Sequence, residues 1–336
     1  MAASPNPDVL ILGAGALGLC TAAELHRRGA RVTVVDPGGA NASSIAAGML
    51  APALETALEA LPPAYVAVGV AARDLWPAVA ERTGVTLHRD GAEWRGATPE
   101  GAAGRLAAVG FRWRTVPHGI FTPDDWRLDP EQAMAALDQG VDRLAGRAAR
   151  IEADGAVALD DGRRLTAGHV VAAFGAAPAV EAPPALAGLL AQIRPIKGQI
   201  LRLEGVAPPP HVIRAPGVYI VPSSRGVIVG ATMEEGRFDC TVEADVTEAL
   251  MSRARALMPE LAQGAVVAAQ AGLRGASPDG LPMAGPTGAA RLHAALAPRR
   301  NGWLLAPLVA EVVADGIEGR APGVHAPALD PRRFAP

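Results

Sequence analysis

The chain has 336 residues, of which 50% are hydrophobic, so it can bury the cores of two domains and requires neither disorder nor a disulfide scaffold. A formal net charge of −3 without a dense basic run argues against nucleic acid as the main partner. No apolar stretch of about 18 residues is free of charge or proline, and the N-terminal residues lack a secretory pattern, so we expect a cytoplasmic protein that binds no membrane. Cys20 and Cys240 stand far apart without a CxxC neighbour, which predicts free thiols and no metal site.

Residues 8 to 36 predict a nucleotide-binding βαβ unit, because an apolar strand, a glycine turn, an amphipathic helix and a second apolar strand follow in register. Gly13 permits the tight turn, Gly15 lets a pyrophosphate approach the backbone, and Gly18 lets the helix pack on the strand. Free N–H groups at the helix N-terminus then favour negative charge. The alternative, a glycine-rich turn without a ligand, does not account for the whole pattern. Two neighbours in this turn, Ala14 and Leu17, complete the predicted phosphate-binding set.

Asp36 ends the second strand, where a carboxylate can accept hydrogen bonds from both ribose hydroxyls and would repel a 2′-phosphate. A pyridine-nucleotide reductase would normally carry a second GxGxxG motif, and the sequence contains none. We therefore predict that the cofactor is FAD and that a bound substrate reduces it.

The segment after Asp36 is rich in small residues, and its run Ser-Ser-x-Ala-Ala-Gly-Met-Leu leaves room for a ligand beside the backbone. With this run behind such a βαβ unit, the chain resembles the D-amino acid oxidase superfamily and, within it, the glycine oxidases of thiamine thiazole synthesis. The resemblance implies that the segment follows the ribityl chain and pyrophosphate of FAD, whereas a plain loop is the alternative. The cofactor-binding residues implied here are Pro37, Ser43, Ser44, Ala46, Ala47, Gly48 and Met49.

Periodicity and helix breakers predict the elements of the first half of the chain. Residues 53 to 83 favour two helices separated by a Pro-Pro pair. Residues 85 to 121 favour an irregular scaffold with short strands. A further helix is predicted to start at Asp129-Pro130.

Short strands are predicted for residues 147 to 174, ending in an apolar strand and a small-residue turn. In the resembling family this segment returns to the cofactor, which implies that Ala148 lies near the adenine and Gly175 beside FAD. Residues 217 to 236 predict a hairpin of an antiparallel sheet, which in the family forms the floor and wall of the substrate pocket. A helix over 246–257 follows.

Four residues match the substrate site of the resembling family. Arg274 in Ala-Gly-Leu-Arg matches the arginine that grips the substrate carboxylate with two parallel bonds, and a surface arginine is the alternative. Tyr219 in Tyr-Ile-Val-Pro matches the tyrosine that donates its hydroxyl to the same carboxylate, and a core tyrosine is the alternative. Met233 matches a pocket wall residue, for which a core methionine is the alternative. Arg300 in Arg-Asn-Gly sits beside the flavin and the substrate in relatives.

A helix beginning at Asn301-Gly302 can direct its N-terminal amides at the flavin N1/C2 carbonyl, where negative charge develops on reduction. Relatives with a covalent flavin carry a cysteine near the strand that here reads Ala-Gly-Leu, so non-covalent FAD is expected. The cofactor-binding residues implied at this helix start are Arg300, Asn301, Gly302, Trp303 and Leu304.

The resemblance covers essentially the whole chain, with three departures. Gly275 follows the anchoring arginine where relatives usually have proline, and Pro298-Arg299 stand where relatives usually have His-Phe. The central region is also short for the family. These departures bear on the choice of substrate more than on FAD binding.

Together these observations predict an α/β fold in which a Rossmann-like FAD-binding domain is interleaved with a second substrate domain built on an antiparallel β-sheet with helices. We expect the FAD-binding domain to comprise residues 1–55, 140–185 and 268–336, and the substrate domain residues 56–139 and 186–267. The expected reaction is oxidative deamination of glycine, sarcosine or a small D-amino acid, with reduction of O2 to hydrogen peroxide and a link to thiamine thiazole synthesis. A dehydrogenase of the same fold that uses another acceptor and a non-catalytic FAD-binding protein are the alternatives, and association into a homo-oligomer is left open.

Overall fold

The computed structural model describes residues 7–59, 61–176 and 180–334. Residues 1–6, where the composition predicts no targeting segment, lie outside these ranges. Among the described helices, none is both long and apolar enough to cross a membrane. The strands, in chain order, are β1 (Val9–Leu12), β2 (Val32–Asp36), β3 (Met49–Leu50), β4 (Leu87–His88), β5 (Ala92–Arg95), β6 (Arg114–Val116), β7 (Gly119–Thr122), β8 (Trp126–Leu128), β9 (Asp142–Ala145), β10 (Ala148–Ile151), β11 (Val157–Leu159), β12 (Arg164–Leu165), β13 (His169–Ala172), β14 (Arg194–Glu204), β15 (Val212–Ala215), β16 (Val218–Ser223), β17 (Gly226–Gly230), β18 (Glu234–Glu235), β19 (Ala265–Ala276), β20 (Met283–Pro286) and β21 (Leu292–Leu296).

The α-helices of the described ranges are α1 (Ala16–Arg27), α2 (Ala42–Ile45), α3 (Pro52–Leu58), α4 (Pro63–Thr83), α5 (Ala102–Ala108), α6 (Pro130–Asp138), α7 (Pro184–Ala191), α8 (Ala244–Leu257), α9 (Gly302–Glu318) and α10 (Ala326–Leu329). Four of them, α3, α4, α6 and α7, begin with proline, whose missing N–H has no intrahelical partner at that position. Asp129 caps α6 by accepting hydrogen bonds from the N–H groups of Glu131 and Gln132. Local sequence therefore sets these helix starts.

The predicted βαβ unit lies in a six-stranded sheet of order β20-β21-β13-β1-β2-β9. The five strands from β21 to β9 pair in parallel, and β20 pairs antiparallel with β21. Because side chains alternate along a strand, Val9 and Ile11 of β1 join one core with α1 and α9. Leu10 and Leu12 join the core on the other face, which includes the β10–β12 meander. Both faces of β1 are covered, and this explains its uninterrupted apolar sequence.

The second large sheet runs β18-β14-β17-β16-β15-β5-β7-β6, and β19 pairs along β14. Its pairings are antiparallel apart from the parallel pair of β15 and β5. Arg274 stands on β19 and Tyr219 on β16, so this sheet carries both predicted carboxylate ligands. The predicted boundary at residue 268 falls inside β19, and the division into two domains stays a prediction.

Most of the predicted elements are present, but four helices, α2, α5, α7 and α10, are not predicted. The expected helices over 53–83 and 246–257 correspond to α3, α4 and α8, and the expected hairpin to β16 and β17. The region 85–121, interpreted as irregular with short strands, also contains α5. Gly104 lies inside α5 and Gly101 is its N-cap, so helical periodicity is weak there, and the fully buried Leu106 packs it into the core that includes α3.

Candidate active site

A cleft of about 320 Å³ is lined by residues from both large sheets. Its wall combines the start of α1, the segment around β3, strands β15, β16 and β19, and the turn before α9. The fold thus brings together segments from the beginning, middle and end of the chain. The predicted site residues that line this cleft are Gly15, Leu17, Ser43, Ala46, Ala47, Gly48, Met49, Gly175, Tyr219, Met233, Arg274, Arg300, Asn301, Gly302 and Trp303.

The turn between β1 and α1 leaves no room for side chains at two positions. Gly13 has φ +117°, and a Cβ on it would overlap the carbonyl oxygen of Ala173. A Cβ on Gly18 would overlap the carbonyl oxygen of Gly13, so α1 starts as close to β1 as the backbone allows. Gly15 and Ala16 line the cleft, which places the N-terminus of α1 at its wall. Such a helix start favours a phosphate.

Asp36 uses one carboxylate oxygen to hold the backbone of this turn and the other to hold the loop that follows β2. Its Oδ2 accepts from the N–H of Ala14 at 2.8 Å, and its Oδ1 accepts from the N–H of Gly38 at 2.7 Å. The side chain is 15% exposed, and a guanidinium nitrogen of Arg143 lies 3.7 Å from Oδ1. Each oxygen retains a second lone pair, so the predicted bonds to ribose hydroxyls are compatible with these contacts.

The start of α9 is a second helix N-terminus at the cleft. Asn301 is the N-cap and Gly302 and Trp303 are the first helical residues, and all three line the cleft. The indole of Trp76 on α4 donates to the carbonyl of Trp303 at 3.0 Å, which fixes this end of α9. The free N–H groups and the dipole of the 17-residue helix therefore act on whatever occupies the cleft.

Ser43 joins the two helix starts. Its Oγ accepts from the N–H of Ala16 at 2.9 Å, and its carbonyl accepts from the Trp303 indole at 3.0 Å. A cleft with two helix N-termini, and with glycines where a Cβ would collide with backbone, fits FAD, because both its pyrophosphate and its flavin carbonyls are hydrogen-bond acceptors.

Eight predicted cofactor residues lie behind or beside the cleft wall. Ser44 exchanges hydrogen bonds with the backbone of Asn41 in a capping box at α2. Ala148 and Leu304 are buried in the cores on opposite faces of the six-stranded sheet. Their contacts with FAD stay predictions. The eight are Gly13, Ala14, Gly18, Asp36, Pro37, Ser44, Ala148 and Leu304.

Two glycines of the antiparallel sheet make room for the predicted carboxylate ligands. A Cβ on Gly198 of β14 would overlap the guanidinium of Arg274, and a Cβ on Gly230 of β17 would lie 2.6 Å from the hydroxyl of Tyr219. Arg274 therefore lies across β14, next to its own strand β19, and Tyr219 lies across β17, next to its own strand β16. Because β14 and β17 are paired, the two side chains converge over this pair. Glycine inside a strand often marks such a close approach, and this signal was available in the sequence.

Burial shifts the pKa of both residues predicted to bind the substrate carboxylate, Arg274 and Tyr219. Burial lowers the pKa of Arg274, and a guanidinium nevertheless stays charged at any physiological pH. Arg274 donates to the carbonyl of Thr232 at 3.2 Å and pairs with no carboxylate of the described residues. Burial raises the pKa of Tyr219, so its hydroxyl is protonated and can donate. The surface over β14 and β17 therefore offers a ligand one cation without a carboxylate partner and one neutral hydrogen-bond donor.

Arg300 is engaged by a carboxylate cluster that the sequence analysis does not predict. Its Nε donates to Glu55 at 3.0 Å, and its Nη2 donates to both Glu55 and Glu59. Arg214 donates to the other oxygen of Glu55 at 3.0 Å. The Glu55 side chain is 8% exposed, and although burial raises its pKa, the two arginines outweigh this effect and leave the pKa below its ordinary value. Glu55 and Arg214 both line the cleft, and each is a charged residue in an otherwise apolar run, which is the signal that could have identified them.

The departures at Gly275 and Pro298-Arg299 lie side by side. The N–H of Arg299 donates to the carbonyl of Gly275 at 2.8 Å, and Ala276 forms a β-bridge with Pro298. A Cβ on Gly275 would lie 3.0 Å from Ile193, so this position is closely packed. The departures therefore form one contact between β19 and the turn before α9, at the edge of the cleft.

Comparisons with known proteins cover nearly the whole chain. The family model described as FAD dependent oxidoreductase matches residues 8–316. A glycine oxidase of Geobacillus kaustophilus (strain HTA426) is 32% identical, with 93% of each chain covered. A putative thiamine biosynthesis oxidoreductase of Rhizobium etli is 30% identical, with 91% of this chain and 95% of its own covered. The crystal structure of glycine oxidase from Geobacillus kaustophilus matches with a TM-score of 0.84 at 28% identity, over 98% of both chains.

Proposed function

We propose that this chain, which belongs to the FAD-dependent oxidoreductase family, oxidises glycine, sarcosine or a small D-amino acid with oxygen as the electron acceptor. The substrate loses a hydride and a proton to become an imine, and water hydrolyses the imine to the oxo acid and ammonia or an amine. O2 takes up the two electrons and two protons as hydrogen peroxide. The predicted resemblance, fold class and FAD dependence are confirmed by the family match and by the similar glycine oxidases.

The convergence of Arg274 and Tyr219 over Gly198 and Gly230 carries this proposal. A guanidinium can make two parallel bonds to a carboxylate, and the tyrosine hydroxyl can add a third. Because Arg274 has no carboxylate partner among the described residues, a substrate carboxylate is the group that offsets its buried charge. Met233 lines the same cleft and is proposed as a wall of the substrate pocket.

Bound FAD supplies the acceptor for the hydride that leaves the substrate Cα. The contribution of the chain is placement and electrostatics. Arg274 and Tyr219 would fix the carboxylate, and the start of α1 with Gly15 would hold the pyrophosphate. The N-terminus of α9 presents positive potential where negative charge accumulates on reduction.

The named relatives support a role in thiamine thiazole synthesis, since one of them is a putative thiamine biosynthesis oxidoreductase. A cytoplasmic location is proposed on the chemistry of the cysteines. Cys20 is buried and Cys240 exposed, and both are free thiols, as is typical of a reducing compartment.

Anaerobic addition of glycine, sarcosine and D-alanine to the purified yellow protein tests the proposal. We expect the oxidised flavin absorbance to bleach with at least one of them and hydrogen peroxide to form when air is admitted. Bleaching that is reversed by an artificial acceptor but not by air would identify a dehydrogenase instead. Absence of bleaching with every small amino acid would show that the proposed substrate class is wrong.

A further inference from the structure

Glu55 lies between two guanidinium groups of the cleft. Its Oε1 accepts from Arg214 at 3.0 Å, and its Oε2 accepts from Arg300. Arg214 stands opposite Tyr219 in the pairing of β15 with β16, so these two side chains share the face of the sheet that lines the cleft. The carboxylate of Glu55 is therefore a fixed anion in the cavity that also contains Arg274.

This arrangement divides the arginines of the cleft into two kinds. Arg214 and Arg300 are neutralised by an acid of the chain, whereas Arg274 has no carboxylate partner among the described residues. Arg299 also lines the cleft and has no carboxylate partner among the described residues; its backbone N–H donates to Gly275, and its side chain passes beside Gly280. A first substrate carboxylate thus has Arg274 available, and a second one that approached Arg214 or Arg300 would meet guanidinium groups already paired with Glu55.

We propose that Glu55 is a specificity-determining residue that restricts the site to substrates with a single carboxylate. The proposal rests on the proposed function, because it assumes that Arg274 binds the substrate carboxylate. Glu55 occupies the place between Arg214 and Arg300 that a second substrate carboxylate would take, and its own charge repels such a group. Like charges brought together in a binding site cost several kcal/mol and are a common way of rejecting the wrong ligand. Amino acids with neutral side chains are therefore accepted and dicarboxylic amino acids rejected.

Binding of succinate and succinamate to the FAD-loaded protein tests this charge effect without any turnover. They are aspartate and asparagine without the amino group, so they have nearly the same shape but carry two charges and one charge at pH 8. We expect calorimetry to show that the parent binds succinamate about tenfold or more tightly than succinate. Glu55→Gln should raise the affinity for succinate about tenfold and change that for succinamate by less than about threefold. Equal affinities in the parent, or an unchanged preference in Glu55→Gln, would overturn the proposal.

Arg214→Met keeps the test decisive if Glu55→Gln fails to fold, because removing Glu55 leaves two partly buried cations unpaired. The methionine retains the apolar bulk of the side chain and leaves Glu55 paired with Arg300. The cavity then becomes more negative near the second carboxylate, so the preference for succinamate should increase about threefold or more. The two variants must shift the ratio of affinities in opposite directions, which general damage to the pocket does not produce. A shift in the same direction contradicts the proposal.

Glu59→Gln is the matched control. Glu59 accepts from the same Arg300, but its side chain is 39% exposed and it does not line the cleft. Solvent screens this charge, so the succinate preference should stay within about twofold of the parent value. An effect as large as that of Glu55→Gln would show that the discrimination does not reside in Glu55.

Turnover of a dicarboxylic and a neutral amino acid then tests whether the charge of Glu55 also determines which substrate is oxidised. In Glu55→Gln, kcat/KM for D-aspartate relative to D-asparagine should rise in proportion to the ratio of the two affinities. If the parent oxidises no amino acid, the proposed function fails, while the calorimetry still decides the role of Glu55. If the parent oxidises neutral amino acids but the ratio does not move in the variant, the assignment of Glu55 fails and the proposed function stands.

Discussion

Arg274 carries a charge that the fold itself does not neutralise. Its guanidinium lies over Gly198, donates to the carbonyl of Thr232 and has its pKa lowered by burial. An unpaired, partly buried cation is unfavourable for folding, and such local conflicts are expected where a ligand supplies the missing partner. The substrate carboxylate is that partner in the proposed function.

Replacing Arg274 tests this assignment directly. Arg274→Ala leaves the substrate carboxylate without its cation in a partly dry cleft. The resulting loss of kcat/KM for glycine should correspond to roughly 3 to 5 kcal/mol of transition-state stabilisation. Arg274→Lys should recover only part of the loss, because a point charge cannot make two parallel bonds. FAD content, read from the absorbance of the purified variants, should change little.

An amine without a carboxylate is the control for general damage, and it should lose less than glycine does when Arg274 is removed. If Arg274→Ala oxidises glycine and every small D-amino acid as well as the parent, the anchor is misassigned and the pocket built from Tyr219, Met233 and Arg300 fails with it.

Strands β14 and β17 leave space for Arg274 and Tyr219 because glycine occupies positions 198 and 230. Gly198→Ala should displace the Arg274 guanidinium and lower kcat/KM for glycine, and since a misplacement of about 1 Å can cost 100-fold, a loss of that order is expected. FAD content should stay at the parent level, because residue 198 does not line the cleft.

Gly104→Ala is the matched glycine substitution. Gly104 is exposed on α5 with open space around it, so alanine should stabilise the protein by roughly 0.5 to 1 kcal/mol in urea unfolding and leave kcat/KM unchanged. Equal losses of activity in the two variants would indicate that glycine at position 198 has no special role.

Glu24 and Arg28 together join three helices. Glu24 accepts hydrogen bonds from Arg27 and Arg28 of its own helix α1 and from Arg82 of α4, and Arg28 also donates to Asp315 of α9. Only 3% of the Glu24 side chain is exposed. Burial raises the pKa of Glu24, but the hydrogen bonds from Arg27 and Arg28 outweigh burial and leave the pKa below its ordinary value.

Removing this charge should destabilise the packing of α1, α4 and α9. Glu24→Gln leaves arginines without their anion and should cost roughly 3 kcal/mol in urea unfolding, whereas Glu81→Gln, at an exposed position on α4, should change stability by less than about 0.5 kcal/mol. Because the folded pKa is depressed, the contribution of Glu24 is complete above its unfolded pKa and is lost as the pH falls through its folded pKa. The difference in free energy of unfolding between the parent and Glu24→Gln should therefore shrink as the pH falls. A difference that does not change with pH would contradict an origin in the charge of Glu24.

At the scale of the elements, the sequence predicts what is encoded locally. The β1–α1–β2 unit, the proline starts of α3 and α4 and the hairpin of β16 and β17 each depend on residues close in the chain. Helix α5 escapes prediction because its glycines weaken the periodicity and its stability comes from burying Leu106 in a core that includes α3. Tertiary packing, which local propensity does not report, decides that case.

FAD should stabilise the whole molecule, because its cleft is built from both large sheets. With free FAD at about 1,000 times its dissociation constant, the free energy of unfolding should rise by roughly 4 kcal/mol above that of the apoprotein. Acid or heat should release FAD rather than FMN or NADP. A covalently attached flavin, or unfolding curves that do not depend on added FAD, would contradict this prediction.

Asp36→Ala should reduce that stabilisation. Its carboxylate is predicted to bind the ribose, so FAD binding should weaken by roughly 1.5 to 3 kcal/mol, and the FAD-dependent gain in stability should shrink by the same amount at equal FAD concentration. The apoprotein is measured separately, because Asp36 also holds the N–H groups of Ala14 and Gly38. Asp142→Ala on the neighbouring strand β9 is the control and should keep the full gain. Unchanged FAD affinity in Asp36→Ala would remove Asp36 from the cofactor site.

At the scale of the whole molecule, the resemblance to a family identifies residues that no local pattern connects. Arg274, Tyr219 and Asn301 are far apart in the sequence and line one cleft in the structure. Glu55 and Arg214 are not predicted because their role comes from the ion pair between them. They are farther apart in the chain than any local sequence pattern extends. A charge in an apolar run marks each residue in the sequence, but the contact between the two is visible only once the sheets are assembled.

The order of strands in the six-stranded sheet also has a consequence for protein synthesis. The ribosome makes β1, α1 and β2 first, yet the second neighbour of β1 in the sheet is β13, and α9, which packs on α1, lies near the end of the chain. Until α9 is made, the core around Val9 and Ile11 has only part of its apolar cover, and exposed apolar surface of this kind is prone to aggregation. Gly15 and Gly302 both line the cleft proposed to hold FAD, so that cleft is complete only after nearly the whole polypeptide has left the ribosome.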